Sequence, residues 1–372
     1  MNMYTYLVTL TPIEKFFFGQ RNTFEDDNVN YFVRSSYFPQ QTALLGLMRF
    51  QILQSAGEEV FGENKIQDKE KAQSLIGRAG FSPFPLDKKS SDFGIIEGLS
   101  PVFLMDRKNN KTYLPAGKRY QREAEEKPYT LLKLSNSNGA ALFRTYSSKA
   151  KHPNMWISPD GLIKEEDFFI EDSRVGIRKN YEGGTDDKSF FYETFYRFNN
   201  EEWRELCFAF YIRLKEKRAL SDKIVHLGGE RQPFLMNVTP LREQTEGYNR
   251  AVAAIGYEKD PNYCTVLLLS DAYIEAAVAE TAFFAVTDVR EFACLLTNLE
   301  TKRYYNRNKT RIQELNDKSN SDMCVSKEIE LYARGSLFYF TSEKQAKEFQ
   351  SKVADSHFHA IGYNHTTLIS NL

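Results

Sequence analysis

Cations beside glycines are the residues best placed to do chemistry in this chain, and the chemistry they suit is holding phosphates. Arg174-Val175-Gly176-Ile177-Arg178-Lys179-Asn180 sets three cations around one glycine, and the polar loop Tyr181–Ser189 follows it with Gly183-Gly184 and Thr185. Glycine lets a backbone approach a ligand closely, and cations with a flexible loop suit a bent single strand. Leu227-Gly228-Gly229-Glu230-Arg231 repeats the idea, with paired glycines able to present N–H groups and Arg231 able to supply charge. Phe38-Pro39-Gln40-Gln41-Thr42 leads into a helix carrying Gly46 and Arg49, whose N-terminus has free N–H groups and positive potential. Tyr181, Tyr192 and Phe38 offer rings on which bases could stack. Each group has a plainer alternative: a solvated loop beside a strand, a tight turn, or a capped helix after a proline. Arg49 equally suits a surface ion pair.

Bond-breaking chemistry finds less support. RNA cleavage without metal needs a base near a 2′-hydroxyl and a second acid or cation. The five histidines are His152, His226, His357, His359 and His365. On a strand, His357 and His359 would share a face, a spacing that could hold a metal, but no acidic or cysteine partner stands at a ligand spacing. No dinucleotide, P-loop, nucleophile-elbow or zinc-protease motif is present. We therefore expect no catalytic residues, no metal and no cofactor.

Bulk properties bound the class. The 372 residues suffice for two ordinary domains or one large one. With 49 Lys+Arg against 50 Asp+Glu, the net charge of −1 excludes an all-round basic binder, so any RNA contact must be local or shared with partners. The 29 Phe and 21 Tyr favour strands and a dense core, and surplus Tyr also suits a stacking surface. No basic and apolar leader and no membrane-length apolar run is visible. Cys207, Cys264, Cys294 and Cys324 lie far apart without a CxxC pair, which fits reduced thiols in a cytoplasm and speaks against a zinc ribbon.

The elements that must position these residues are mostly strands. Tyr4–Leu10 alternates and ends at Pro12. Thr42–Gly57 reads as a helix with Thr42 as its cap and Leu44, Leu45, Met48 and Ile52 on one face. The prolines and charge runs between 57 and 150 suggest insertions and hairpins. Leu206–Leu214 alternates strongly, and further strands are expected at Phe234–Val238, Tyr263–Ser270, Phe283–Val286 and Ile329–Phe340. The last of these is broken at Gly335-Ser336. Ser342 caps a helix running to Val353. Strands outnumber helices, yet each half has one good helix, which predicts an α+β chain of two ferredoxin-like (RRM-related) domains. We place them at 1–220, with insertions at about 57–170, and at 221–372.

The order of these pieces resembles a family. An N-terminal strand near Pro12 is followed by Phe38-Pro39 with Thr42, Gly46 and Arg49, by Val175-Gly176-Ile177-Arg178, and by Leu227-Gly228-Gly229-Glu230. Gly335-Ser336 falls inside a strand pair and Gly362 near the C-terminus, and Pro101–Leu104 with Tyr113–Ala116 matches the middle region. This resembles the RAMP superfamily of CRISPR proteins, and within it the third subunit of the type III-B (Cmr) effector complex. The glycine-rich loop near the superfamily's C-terminus is here reduced to Ile361-Gly362-Tyr363-Asn364. The resemblance implies a non-catalytic, cytoplasmic subunit of a hetero-oligomer in antiviral defence. It implies binding to the 5′ tag of the crRNA, contacts with the large polymerase-like subunit and the first backbone subunit, and no membrane partner. The alternatives are the cap subunit of a type III-A or type I complex, a guide-processing endoribonuclease of the same superfamily, or a structural protein without RNA. The endoribonuclease would need a histidine near the helix after the first strand, and the sequence has none before His152.

Overall fold

Two neighbouring strands buried on both faces organise the N-terminal part of the computed structural model. It describes residues 3–19, 32–85, 92–137, 140–143, 145–179, 185–199, 205–257, 262–299, 304–306 and 322–370. The strands are β1 (Tyr4–Pro12), β2 (Phe18–Gly19), β3 (Phe32–Ser36), β4 (Ile96–Leu99), β5 (Phe103–Asp106), β6 (Lys111–Gly117), β7 (Met155–Ser158) and β8 (Gly161–Lys164). They continue with β9 (Phe169–Lys179), β10 (Thr185–Phe198), β11 (Leu206–Leu214), β12 (Lys223–Leu227) and β13 (Gln232–Leu241). Helix α1 spans Gln41–Gln54, α2 Lys69–Ile76 and α3 Glu246–Tyr257.

A nine-stranded sheet runs in the order β8-β7-β6-β5-β11-β1-β13-β12, with β4 also pairing β11. β1 lies antiparallel between β11 (Val8 opposite Phe210) and β13 (Val8 opposite Val238). One face of β11 carries Phe208, Phe210, Ile212 and Leu214 and packs with Leu44, Leu45, Met48 and Ile52 of α1. The other carries Cys207, Ala209 and Tyr211 and packs with Tyr248, Ala251 and Ile255 of α3. The strict alternation of this strand thus reflects two cores rather than one core and solvent.

The C-terminal sheet holds β14 (Cys264–Leu268), β15 (Phe284–Val286), β18 (Leu337–Phe340) and β19 (Thr366–Ile369), in the order β15-β18-β14-β19. β16 (Val289–Phe292) and β17 (Ile329–Tyr332) pair apart from it. Helix α4 (Glu343–Ala354) covers the sheet with Ala346, Phe349 and Val353, and Ser342 Oγ accepts from the Gln345 N–H at 3.4 Å as its cap.

The α+β character is borne out, and several details differ from expectation. Thr42 is not the cap of α1: that position is Gln40, without a side-chain bond, and the helix stops at Gln54. The run Ile329–Phe340 is broken at Gly335-Ser336 as expected, with Gly335 at φ 84, and its two strands belong to different sheets. Hairpins are found within the region read as insertions and hairpins, β5 with β6 and β7 with β8, and they extend the main sheet. β12 and β13 also pair within that sheet, so the division expected at residue 220 does not separate the two sheets.

Candidate nucleic-acid interface

The Gly228-Gly229 loop is held by the aromatic run after β1. Phe16 exchanges backbone bonds with Tyr196 at 2.7 and 3.0 Å and is fully buried, which fixes Phe17 and Phe18 beside it. The Phe17 carbonyl then accepts the Gly229 N–H at 2.8 Å. Gly228 sits at φ +81, and a Cβ there would stand 2.3 Å from that carbonyl oxygen, so only glycine fits. The expectation that both glycines offer N–H groups to a phosphate is corrected for Gly229, whose N–H is already bonded.

Charge gathers along the same line. Phe17 lies 5.3 Å from the Phe195 ring of β10. Over that ring stand the Lys15 ammonium at 4.5 Å and the exposed Arg174 guanidinium at 5.6 Å. Lys15 is ion-paired with Asp172 at 2.6 Å, whereas Arg174 meets no carboxylate among the described residues. On the other side of the loop, exposed Arg231 adopts φ 49, and its carbonyl meets His226 Nδ1 at 2.8 Å. His226, Gly228 and Arg231 face Gly46, Leu47 and Phe50 of α1 across a cavity of about 260 Å³. Contacts through the buried Phe195 ring and Phe17 thus link Arg174 to the Gly228-Gly229 loop, and the cavity links that loop and Arg231 to Gly46.

Other residues singled out from the sequence lie elsewhere. Phe38 is corrected: it is 3% exposed, stacks on Trp156 at 5.0 Å and carries Arg334 at 4.2 Å over its ring, so no base can reach it. Gly362 is also buried, with φ +94, and its carbonyl accepts from Gln41 Nε2 at 2.9 Å; its N–H bonds the His359 carbonyl at 3.2 Å. Gln41 reaches the Ser100 carbonyl at 3.0 Å as well, and this clasp ties the start of α1 to the C-terminal loop. Thr42 is half-buried in the first turn and donates to Gln40 Oε1 at 3.4 Å. Arg49 is half-buried, points to the Gly77 carbonyl at 3.5 Å, and burial pulls it down to about 10. No carboxylate pairs with it among the described residues, so the surface ion pair considered for it is absent there.

Gly176 and half-buried Tyr192 lie on the β9–β10 ribbon, Tyr192 opposite Val175, and the Arg178 and Lys179 backbones end β9. The side chains of Arg178 and Lys179, and Asn180 and Tyr181 entirely, lie outside the described residues. Thr185–Ser189, read as loop, belongs to β10. His357 and His359 are in a turn and a short 3-10 helix, not on a strand: His357 stacks on Phe81 at 5.3 Å and His359 on His365 at 3.9 Å. Among the described residues no group of three or more His, Cys, Asp or Glu is placed to hold a metal. The sequence reading missed Lys15, Phe195 and Phe50 as companions of the loop. The run Phe16-Phe17-Phe18 was its visible trace.

A search of curated proteins finds no match. Among solved structures, similar chains come from cryo-EM structures of the type III-B Cmr-beta bound to cognate target RNA and of the same with AMPPnP, state 1. The first is 12% identical with a TM-score of 0.45, the second 11% identical with a TM-score of 0.43; each match covers 98% of this chain and 96% of the other. The model of the family described as CRISPR-associated protein (Cas_Cmr3) matches residues 8–371. That match spans nearly the whole chain and bears out the resemblance to the third subunit of the type III-B complex. This chain belongs to the Cas_Cmr3 family of CRISPR-associated proteins.

Proposed function

We propose that this protein is a non-catalytic RNA-binding subunit of a type III-B CRISPR effector complex, and that it caps the 5′ tag of the crRNA beside the large polymerase-like subunit and the first backbone subunit. The family match over residues 8–371 carries this reading. Strand order supports its fold. In each sheet four strands taken in chain order (β1, β5, β11, β13 and β14, β15, β18, β19) lie fourth-first-third-second, the order of two ferredoxin-like units. His152, His226, His357 and His365 each have a ring nitrogen on a backbone carbonyl, and His359 stacks on His365.

The tag's path would run from Arg174 past Phe17 and the Gly228-Gly229 loop to Arg231, with phosphates positioned by the cations. The test is Arg174→Ala with Arg231→Asn in the reconstituted complex; asparagine tolerates the left-handed backbone at 231. Protection of the tag from nuclease should fall, and the salt slope should drop by about 0.7 for each phosphate that is no longer held. Unchanged protection and slope in a fully assembled complex would place the RNA elsewhere.

A further inference from the structure

Gly46 is a glycine that the chain itself does not require. Gly77, Gly94, Gly228 and Gly362 have positive φ, and a Cβ on any of them would collide with neighbouring atoms. Gly46 lies inside α1 with helical backbone, and, as at Gly161 and Gly256, nothing stands within 4 Å of where its Cβ would be; of these three, Gly46 is the one that lines the cavity with Arg231. Glycine weakens a helix interior relative to alanine, so this choice gains the isolated chain nothing. The space it leaves open forms part of the cavity shared with Arg231, and an atom from outside the chain is what would use it.

The walls indicate what enters. Leu47 is buried beside Gly46, while the Phe50 ring, held at 5.5 Å and 83° to Phe61, is 37% exposed. His226 and Arg231 stand across from them, both exposed. An apolar slot with an aromatic edge and a cation at its mouth matches a nucleotide, base inside and phosphate outside. Its volume of about 260 Å³ falls just under the roughly 300–1,000 Å³ of sites for drug-sized ligands, the scale of one flat ring system.

We propose that this cavity is a subsite for one extruded nucleotide: its base lies against the Gly46 backbone beside Phe50, and the adjoining phosphate sits on Arg231. This rests on the RNA-binding reading above and specifies where one base goes. The effector complex is to be assembled around RNAs carrying a single 5-iodouridine at successive positions and irradiated. One position should crosslink to Phe50 or His226. Gly46→Leu, which fills the slot, should cut that crosslink at least tenfold while crosslinks near Phe17 persist and the thermal midpoint of the isolated chain does not fall. An unchanged crosslink pattern in Gly46→Leu sinks the subsite and leaves the RNA reading standing. No crosslink to this chain from any position sinks both. Normal RNA contacts with failed subunit assembly would show the cavity to be a protein docking point, which also overturns the proposal.

Discussion

Arg334 shows how a single residue can look functional while serving the fold. Its guanidinium lies over the Phe38 ring and 3.7 Å from Asp271, and among the described residues neither Nε nor Nη1 has a hydrogen-bond partner. Asp271 takes the Arg334 N–H at 2.8 Å, and although burial opposes its charge, Arg334 and Arg290 hold its carboxyl below the usual range. Asp271→Asn would remove the principal carboxylate partner of Arg334 and Arg290, leaving them Glu165 and, for Arg290, Asp288, and removing one member of a buried pair costs about 3–5 kcal/mol. Urea unfolding at pH 7 should show a loss of that order, largely recovered by adding Arg334→Met; an unchanged midpoint for the single variant would dismiss the pair as a support. A depressed carboxyl contributes stability above its unfolded value and loses it as pH falls through the folded one, so the Asp271 contribution disappears only in strong acid. His365 acts at milder pH. Burial, then the neighbouring His359, pulls it down to about 3. The unfolded chain binds that proton near pH 6.5 and the folded chain does not, so stability falls as pH drops from 6.5 towards 3. Between pH 6.5 and 5 one such histidine accounts for about 1.5 kcal/mol, and His365→Gln should flatten that part of the profile. A profile as steep as before would assign the proton uptake elsewhere.

At the scale of elements, what the sequence revealed depended on how local the cause was. β1, β11, α1 and α4 were legible because their period lies within the segment, and for α4 the cap does too: Leu206–Leu214 alternates, and Ser342 stands three residues before its partner Gln345. The partner of β13 was not legible, because its register to β1 is set across more than two hundred residues of intervening chain. Phe38 and Gly362 were misread for the same reason. Each sits beside a plausible phosphate site in sequence, but Trp156, Arg334 and Gln41 close over them from distant elements. Of the candidate site, Gly228, Arg231 and Arg174 were picked out in the sequence as glycines and cations, whereas Phe195 joins Arg174 to Phe17 only through the fold. Gln41 makes a matching prediction. Its amide bonds the Ser100 and Gly362 carbonyls at once, so Gln41→Ala leaves two acceptors without it and should destabilise by roughly 1–3 kcal/mol. Hydrogen exchange should rise first in residues 359–364; uniform exchange across the chain would show that the clasp does not hold that loop.

For the whole molecule, charge balance sets the terms on which the proposed RNA would be bound. Forty-nine cations against fifty acids leave no general field for a polyanion, and pairs such as Lys15–Asp172 and Arg34–Glu171, both beside the ribbon, neutralise cations locally. Among the described residues Arg174 and Arg231 remain exposed along the proposed path, and two cations are too few for tight binding at physiological salt, where each phosphate held contributes about 0.7 to the single-strand salt slope. Exposed apolar residues point the same way. Ile224 and Leu235 face each other across β12 and β13 at 59% and 39% exposure, at an edge of the large sheet, where a covering partner would relieve both. The isolated chain should therefore bind a tag-bearing single strand weakly, with a shallow salt slope of about 1–2. Affinity should rise steeply once neighbouring subunits hold the rest of the guide, because the tag then arrives at high effective concentration. Fluorescence anisotropy of one labelled RNA, with the chain alone and with the co-expressed complex, over a range of salt, measures this directly. A monomer that binds the tag as tightly as the complex does, with a slope well above 2, would mean that it carries a complete RNA groove of its own and that its balanced charge conceals a stronger local patch than Arg174 and Arg231 provide.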